Sequence, residues 1–202
     1  MTQIQGTKGY ESGVERFATA TESISFEVLH QEFLAFLPEQ KSMILDIGAG
    51  IGRDAYVLAE QGHEVIAAEP LAAFREKGKD LYPSENLTWL DTSLPELEKL
   101  ENYKGKFAFI LCSAVWHHIR EEDQKVAMGK IAQLLKTKGI FALSLRNGPA
   151  GMGKNVFPTD CQEMINCAEA HGLIALQRVE NQASLLPGKE SVKWARLVLQ
   201  KK

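Results

Sequence analysis

The chain has 202 residues, 45% apolar and 24% charged, the balance of one ordinary globular domain rather than a disordered or fibrous protein. Its 23 Lys and Arg against 26 Asp and Glu give a net charge of −3, without the basic excess that a non-specific nucleic-acid binder needs to displace counterions from phosphates. Apolar runs such as 107–112 fall far short of the ~20 residues of a membrane-spanning helix, residues 1–12 lack the basic and apolar regions of a signal peptide, and Cys112, Cys161 and Cys167 form no CxxC pair, so a cytoplasmic protein without membrane span, disulfide framework or structural zinc is expected.

Residues 1–21 are polar with Tyr10, Val14 and Phe17 as anchors, and read as either a frayed tail or a lid. Phe26, Leu29, Phe33 and Leu37 share one face of an expected helix that Ser25 caps and that ends before Pro38, covering one edge of a sheet. From there β-branched or apolar runs at 43–47, 64–68, 87–90, 107–112, 140–145, 173–178 and 192–200 alternate with amphipathic stretches at 53–61, 71–79, 121–136 and 160–171. Thr159 is the expected N-cap of the last helix. Gly62, Gly139 and Gly172 stand where helices should exit through a left-handed residue. The alternation predicts a single Rossmann-like, doubly wound α/β sheet of about seven mostly parallel strands with helices on both faces.

The most informative stretch runs from Met43 through Asp46, Gly48, Gly50 and Gly52 to Ala55. A buried strand enters a turn of three alternate glycines and then a helix, so that the backbone can approach a ligand where any Cβ would intrude. The dinucleotide fingerprint is GxGxxG; here the spacing is GxGxG, and Asp46 two residues before the first glycine would repel a pyrophosphate and attract a cation. Glu69 ends the next strand, where a carboxylate would accept two ribose hydroxyls, and Asp91 ends the third. Three acids at three successive strand ends favour a ribose-bearing cofactor with cationic or amine groups.

These residues, followed by an apolar fourth strand ending in Cys112-Ser113-Ala114-Val115-Trp116-His117-His118-Ile119, resemble the class I S-adenosylmethionine-dependent methyltransferases over roughly 43–145. The resemblance implies that Gly48 and Gly50 underlie the methionyl and ribose parts of S-adenosylmethionine, that Glu69 holds the ribose and that Asp91 faces the adenine amino group. It extends the cofactor site to Asp46, Ala49, Gly52, Arg53, Pro70, Thr92, Ser93 and Ser113. It divides the chain into an N-terminal lid segment and helix, 1–40, and the methyltransferase domain, 41–202. A narrower likeness, in Gly52-Arg53-Asp54-Ala55, in 89–95 and in 144–149, is to small bacterial methyltransferases of unassigned substrate.

Trp116, His117 and His118 follow the fourth strand, where the transferable methyl would lie. No third metal ligand stands at a suitable spacing, so no metal is expected; His118, with His117 behind it, is the candidate base, and Trp116 and Tyr10 candidate substrate contacts. The run 148–155 matches the GxxxxGK of a P-loop, but Asn155 replaces the magnesium-binding hydroxyl and Pro158 stands where a helix should start. It reads as a loop whose Lys154, with Arg146, is available to an anionic substrate. Relatives that methylate planar amines of adenine or glutamine carry Asn or Asp, Pro-Pro and an aromatic after strand four. Cys112-Ser113-Ala114-Val115 departs from that and leaves a small molecule as the expected acceptor, with no nucleic acid. A cofactor-binding protein without activity and a nicotinamide-dependent oxidoreductase are the rival readings.

Overall fold

The structure, a computed structural model, describes residues 5–202; the first four residues of the N-terminal segment lie outside the described residues. Seven strands, β1 (Met43–Ile47), β2 (Glu64–Ala68), β3 (Leu87–Leu90), β4 (Phe107–Cys112), β5 (Leu135–Asn147), β6 (Leu173–Ala183) and β7 (Lys193–Lys201), form one sheet in the order β3-β2-β1-β4-β5-β7-β6. β1 to β5 pair in parallel; β7 runs antiparallel between β5 and β6. The central strands are buried on both faces, as parallel strands between helix layers must be, and their side chains divide into two cores. Leu45, Ile47, Ile110, Cys112, Phe141 and Leu143 pack with α5 (Glu121–Leu134) and α6 (Cys161–Ala170) on one face. Ile44, Phe109, Leu111, Ala142 and Val198 pack with α2 (Phe26–Leu29) and α3 (Arg53–Glu60) on the other.

The first four strands have the predicted bounds; the later elements differ for local reasons. β5 starts at Leu135, directly after α5, because Leu134 and Leu135 are both fully buried and Leu135 pairs with Phe107. The left-handed residue at that turn is Lys138 (φ 63°), not Gly139, whose missing Cβ instead admits the Phe107 carbonyl, 2.9 Å from where a Cβ would stand. Asp160, not Thr159, caps α6, its Oδ1 accepting from the Glu163 N–H at 2.9 Å, while the Thr159 N–H is tied to Asn147. The helix expected over 26–37 is broken. Ser25 caps a single turn, α2, and the chain re-forms a 3₁₀ turn at Leu34–Phe36. Between them His30 is buried, with Nε2 2.8 Å from Asp54 Oδ2. The polar start is helical, with α1 at Val14–Glu22, and α4 (Ala72–Leu81) lies between β2 and β3.

Gly52, the N-cap of α3 at φ 81°, lies beneath Trp89: a Cβ there would stand 2.5 Å from the indole. Gly52→Ala combines left-handed strain with overpacking and is expected to cost about 2 to 4 kcal/mol of stability, read as a lowered urea midpoint at unchanged m-value.

Candidate active site

β2 and β3 extend the sheet to one side of β1, and β4 and β5 to the other, so the chain reverses its direction of growth between β1 and β4. Ligands of open α/β sheets sit in the crevice outside the strand C-termini at such a switch point. Two cavities lie there, of about 420 and 310 Å³. Gly50, Glu69, Pro70, Leu71, Thr92 and Ser93 line the larger. Ala49, Arg53, His117, Arg146, Trp194 and Arg196 line the smaller. Tyr10, Phe17, Gly48, Ser113, Ala114 and His118 belong to both and mark their junction.

The glycine turn is left-handed at all three positions, with φ of 67°, 57° and 81° at Gly48, Gly50 and Gly52. Each missing Cβ makes room for a side chain of the protein itself: Val115 over Gly48, Phe17 over Gly50 and Trp89 over Gly52. Gly52 therefore serves packing and lines neither cavity, whereas Gly48 and Gly50 do line the crevice. Phe17 reaches the turn from α1, stacked on Phe74 with ring centroids 4.5 Å apart and edge-on to Tyr10 at 5.7 Å.

Glu69 is held at the end of β2 by two backbone donors, Gly50 N–H to Oε2 at 2.9 Å and Leu71 N–H to Oε1 at 2.8 Å. Burial outweighs these bonds and pushes its carboxyl up to about 7. The folded protein thus holds a proton that the unfolded chain, with a carboxyl near 4.5, releases. The resulting stability is present below about pH 4.5 and lost as pH rises through 7, some ~3 kcal/mol from this group. Denaturation of the ligand-free protein between pH 4.5 and 8 should show that loss relative to Glu69→Gln; a pH-independent difference would place the carboxyl in its ordinary range.

At the junction Tyr10 Oη lies 3.0 Å from His118 Nε2, and His118 Nδ1 lies 2.6 Å from the Asn155 carbonyl oxygen. A carbonyl only accepts, so Nδ1 carries the proton and Nε2 presents its lone pair to the Tyr10 hydroxyl. Burial lowers the His118 pKa, the Asn155 carbonyl opposes and Arg146 adds to the lowering, so the ring is neutral near pH 7. Burial raises that of Tyr10. Gly153 permits the pair, since a Cβ there would stand 2.5 Å from His118 Cε1 and 2.7 Å from Tyr10 Cε2. His117 is more deeply buried and is held well below its ordinary pKa by that burial, then by His118 and Arg146; its Nδ1 has no partner among the described residues.

The N-terminal segment is fastened to the domain by Arg53, which donates to the carbonyls of Thr21 and Ile24 and pairs with Asp54 at 2.5 Å; Asp54 also receives His30. The loop 148–158 joins it from the other side, with the Lys154 N–H donating to the Lys8 carbonyl at 2.9 Å. No helix begins there, consistent with a loop rather than a P-loop.

Five residues chosen from the sequence stand outside both cavities. Gly52 is packed beneath Trp89. Asp46 is buried behind the turn, where its carboxylate is stabilised by the Ala55 N–H in the first turn of α3; burial, then Asp54, raises its pKa well above the usual range. Asp91 is half exposed and pairs with Arg75 at 3.2 Å. Trp116 is fully buried against Phe141, because the 3₁₀ turn Trp116–His118 sends it into the core while His118 faces the crevice. Lys154 is exposed, its stem against Gly9. Conversely, Phe17, Trp194 and Arg196 line the site without a local sequence signal: Phe17 depends on how α1 docks, and the other two on the antiparallel register of β7. Among the described residues no cluster of three or more His, Cys, Asp or Glu could hold a metal ion, and no helix is long and apolar enough to cross a membrane.

The profile of the family described as methyltransferase domain matches residues 22–183. The chain belongs to that family, and with this sheet order and glycine turn it is a class I S-adenosylmethionine-dependent methyltransferase. Among solved structures it is similar to a TehB-like SAM-dependent methyltransferase from Corynebacterium glutamicum, with 22% identity, TM-score 0.68 and coverage of 95% of this chain and 97% of the other. It is also similar to the 1,6-didemethyltoxoflavin-N1-methyltransferase of Burkholderia thailandensis, solved with 1,6-didemethyltoxoflavin and S-adenosylhomocysteine, at 15% identity, TM-score 0.66 and coverage of 100% and 92%. A third is phosphoethanolamine N-methyltransferase 2 of Haemonchus contortus in complex with S-adenosyl-L-methionine, at 12% identity, TM-score 0.75 and coverage of 100% and 60%. The search of curated proteins found no match.

Proposed function

We propose that this methyltransferase acts on a small-molecule acceptor in the cytoplasm, with Tyr10 and His118 at the point of transfer. The single observation that carries this reading is the Tyr10–His118 pair at the junction of the two cavities, with Nδ1 of the base fixed by the Asn155 carbonyl and the Nε2 lone pair held towards the Tyr10 hydroxyl. The residues fit the cofactor. Glu69, already bonded to two N–H groups, keeps lone pairs for ribose hydroxyls at the wall of the larger cavity, where Thr92 and Ser93 offer polar groups beside Leu71, Leu94 and Val115. Gly48 lines both cavities, so the methionyl end would run along its backbone towards the smaller one. When bound, S-adenosylmethionine supplies an activated methyl group on a cationic sulfur.

The chain's own residues do the rest. Tyr10 and Phe17, which line both cavities, and the loop 148–158 would cover the bound donor and keep water from it. His118 Nε2 accepts a proton from an acceptor hydroxyl, thiol or amine, directly or through the Tyr10 hydroxyl, and the Asn155 carbonyl stabilises the imidazolium that forms. The small volume of the acceptor cavity, about 310 Å³, and the net charge of −3 favour a metabolite over a nucleic acid. No observation favours an oxidoreductase or a cofactor-binding protein without activity. The test is to incubate the protein with methyl-labelled S-adenosylmethionine and a cell extract separated into small-molecule, protein and nucleic-acid fractions. Label is expected in the small-molecule fraction and lost in His118→Asn; label in a macromolecular fraction would contradict the reading.

A further inference from the structure

Resting on that reading for the position of the methyl donor, we infer that the acceptor is an anion: a small molecule with an apolar body whose carboxylate or phosphate is taken by Arg196 together with Arg146. The register pairs Ser144 with Arg196 and Arg146 with Trp194, so strand alternation puts all four on one face of the sheet at the edge that holds the site. Arg196 is only 6% exposed and lines the smaller cavity. Its Nε has no partner among the described residues, and the guanidinium makes one long bond, Nη1 to the Ala195 carbonyl at 3.4 Å. A buried cation left so poorly bonded is costly unless something completes its shell. The nearby acid, Glu32, acts on Arg196 only through its charge: the two form no ion pair or hydrogen bond, and Glu32 Oε1 takes the side-chain amides of Gln182 and Gln31.

The rest of the cavity wall points the same way. Asp54 is the one carboxylate among its described lining residues, and Arg53 and His30 already hold it. Arg146 donates to the carbonyls of Gly148 and Pro149 and Lys189 also lines the wall, so positive charge faces this cavity without an acid to answer it. Trp194, stacked with Arg196 at 5.2 Å, and Val156 and Leu186 supply apolar surface for the acceptor's body. The strand that carries Arg196 stands three strands from β1 in the sheet order, about 14 Å between strand axes at the usual spacing, which favours the acceptor over the cofactor's own carboxylate as its partner.

The test uses the full-length protein saturated with S-adenosylhomocysteine, which fills the cofactor's own carboxylate site, and titrates benzoate, phenyl phosphate and uncharged benzamide by ligand-observed NMR. At least one anion is expected to bind about tenfold or more tightly than benzamide, with a preference that shrinks as salt is added; whether benzoate or phenyl phosphate leads identifies the anion class. Arg196→Gln should erase the preference at unchanged affinity for S-adenosylhomocysteine, and Arg196→Lys should keep part of it. Benzamide binding as tightly as both anions would overturn the proposal, as would an Arg196→Gln loss of S-adenosylhomocysteine affinity equal to the loss for the probes. Should Arg196→Gln fail to fold, the wild-type preference and its salt dependence decide. The preceding titration with S-adenosylhomocysteine reports on the cofactor separately: its failure, with the anion preference intact in the ligand-free protein, would sink the cofactor reading alone.

Discussion

Replacing His118 with Asn is expected to slow single-turnover methyl transfer by about 10²- to 10⁴-fold while leaving cofactor affinity within a fewfold of wild type. Asn keeps a polar group near the Asn155 carbonyl but cannot accept a proton, so the loss belongs to the proton transfer. Burial and Arg146 both lower the His118 pKa, with the Asn155 carbonyl only partly opposing them. The acidic limb of the rate should therefore lie below the ordinary histidine value of about 6.5, with activity falling as pH drops through it. Tyr10→Phe removes the hydroxyl that lies 3.0 Å from Nε2 and should also reduce the rate, by less if the proton passes directly to the ring. Unchanged rates and pH profiles in both variants would reject the pair as a base and leave alignment of the acceptor as the source of catalysis.

Glu69→Ala is expected to weaken cofactor binding by about 1.5 to 3 kcal/mol, or ~10- to 150-fold, through loss of charge-assisted bonds to the ribose. The same change frees the N–H groups of Gly50 and Leu71, so part of the effect comes from a less ordered turn. Asp91→Ala should cost much less, because Asp91 lies outside the cavity lining and its partner in the structure is Arg75. Calorimetric titration with S-adenosylhomocysteine separates the two. Equal losses in both variants would mean that Asp91 turns into the crevice when the cofactor binds.

The difference between these two acids marks how far the sequence is legible. The strands of the parallel half could be bounded because each is a short apolar run between turn residues, and the glycine turn and Glu69 follow from those bounds and the strand-end rule. Asp91 obeys the same rule, yet the chain after β3 turns so that Thr92 and Ser93 face the cavity and Asp91 meets Arg75. Trp116 fails similarly: adjacent residues of a 3₁₀ turn point in different directions, and the one chosen for its aromatic ring is the one that enters the core. Arg196 could not be found at all. A single arginine in an apolar strand is an ordinary surface pattern, and only the insertion of β7 between β5 and β6 brings it beside Ser144. The glycines carry a related lesson. Their spacing was legible, but the structure shows their open sides taken by Val115, Phe17 and Trp89, contacts that bind the turn to β3, the segment after β4 and the N-terminal helix.

The most direct measurement is calorimetric titration of the ligand-free protein with S-adenosylhomocysteine and, in parallel, with NAD⁺. The proposed ribose contact of Glu69 and the GxGxG spacing, which departs from the dinucleotide fingerprint, predict saturable one-to-one binding of S-adenosylhomocysteine and none of NAD⁺ at the same concentrations. At 100 times its dissociation constant, S-adenosylhomocysteine should also add about 2.7 kcal/mol of apparent stability. Saturable binding of NAD⁺ with no heat from S-adenosylhomocysteine would contradict the account at its centre.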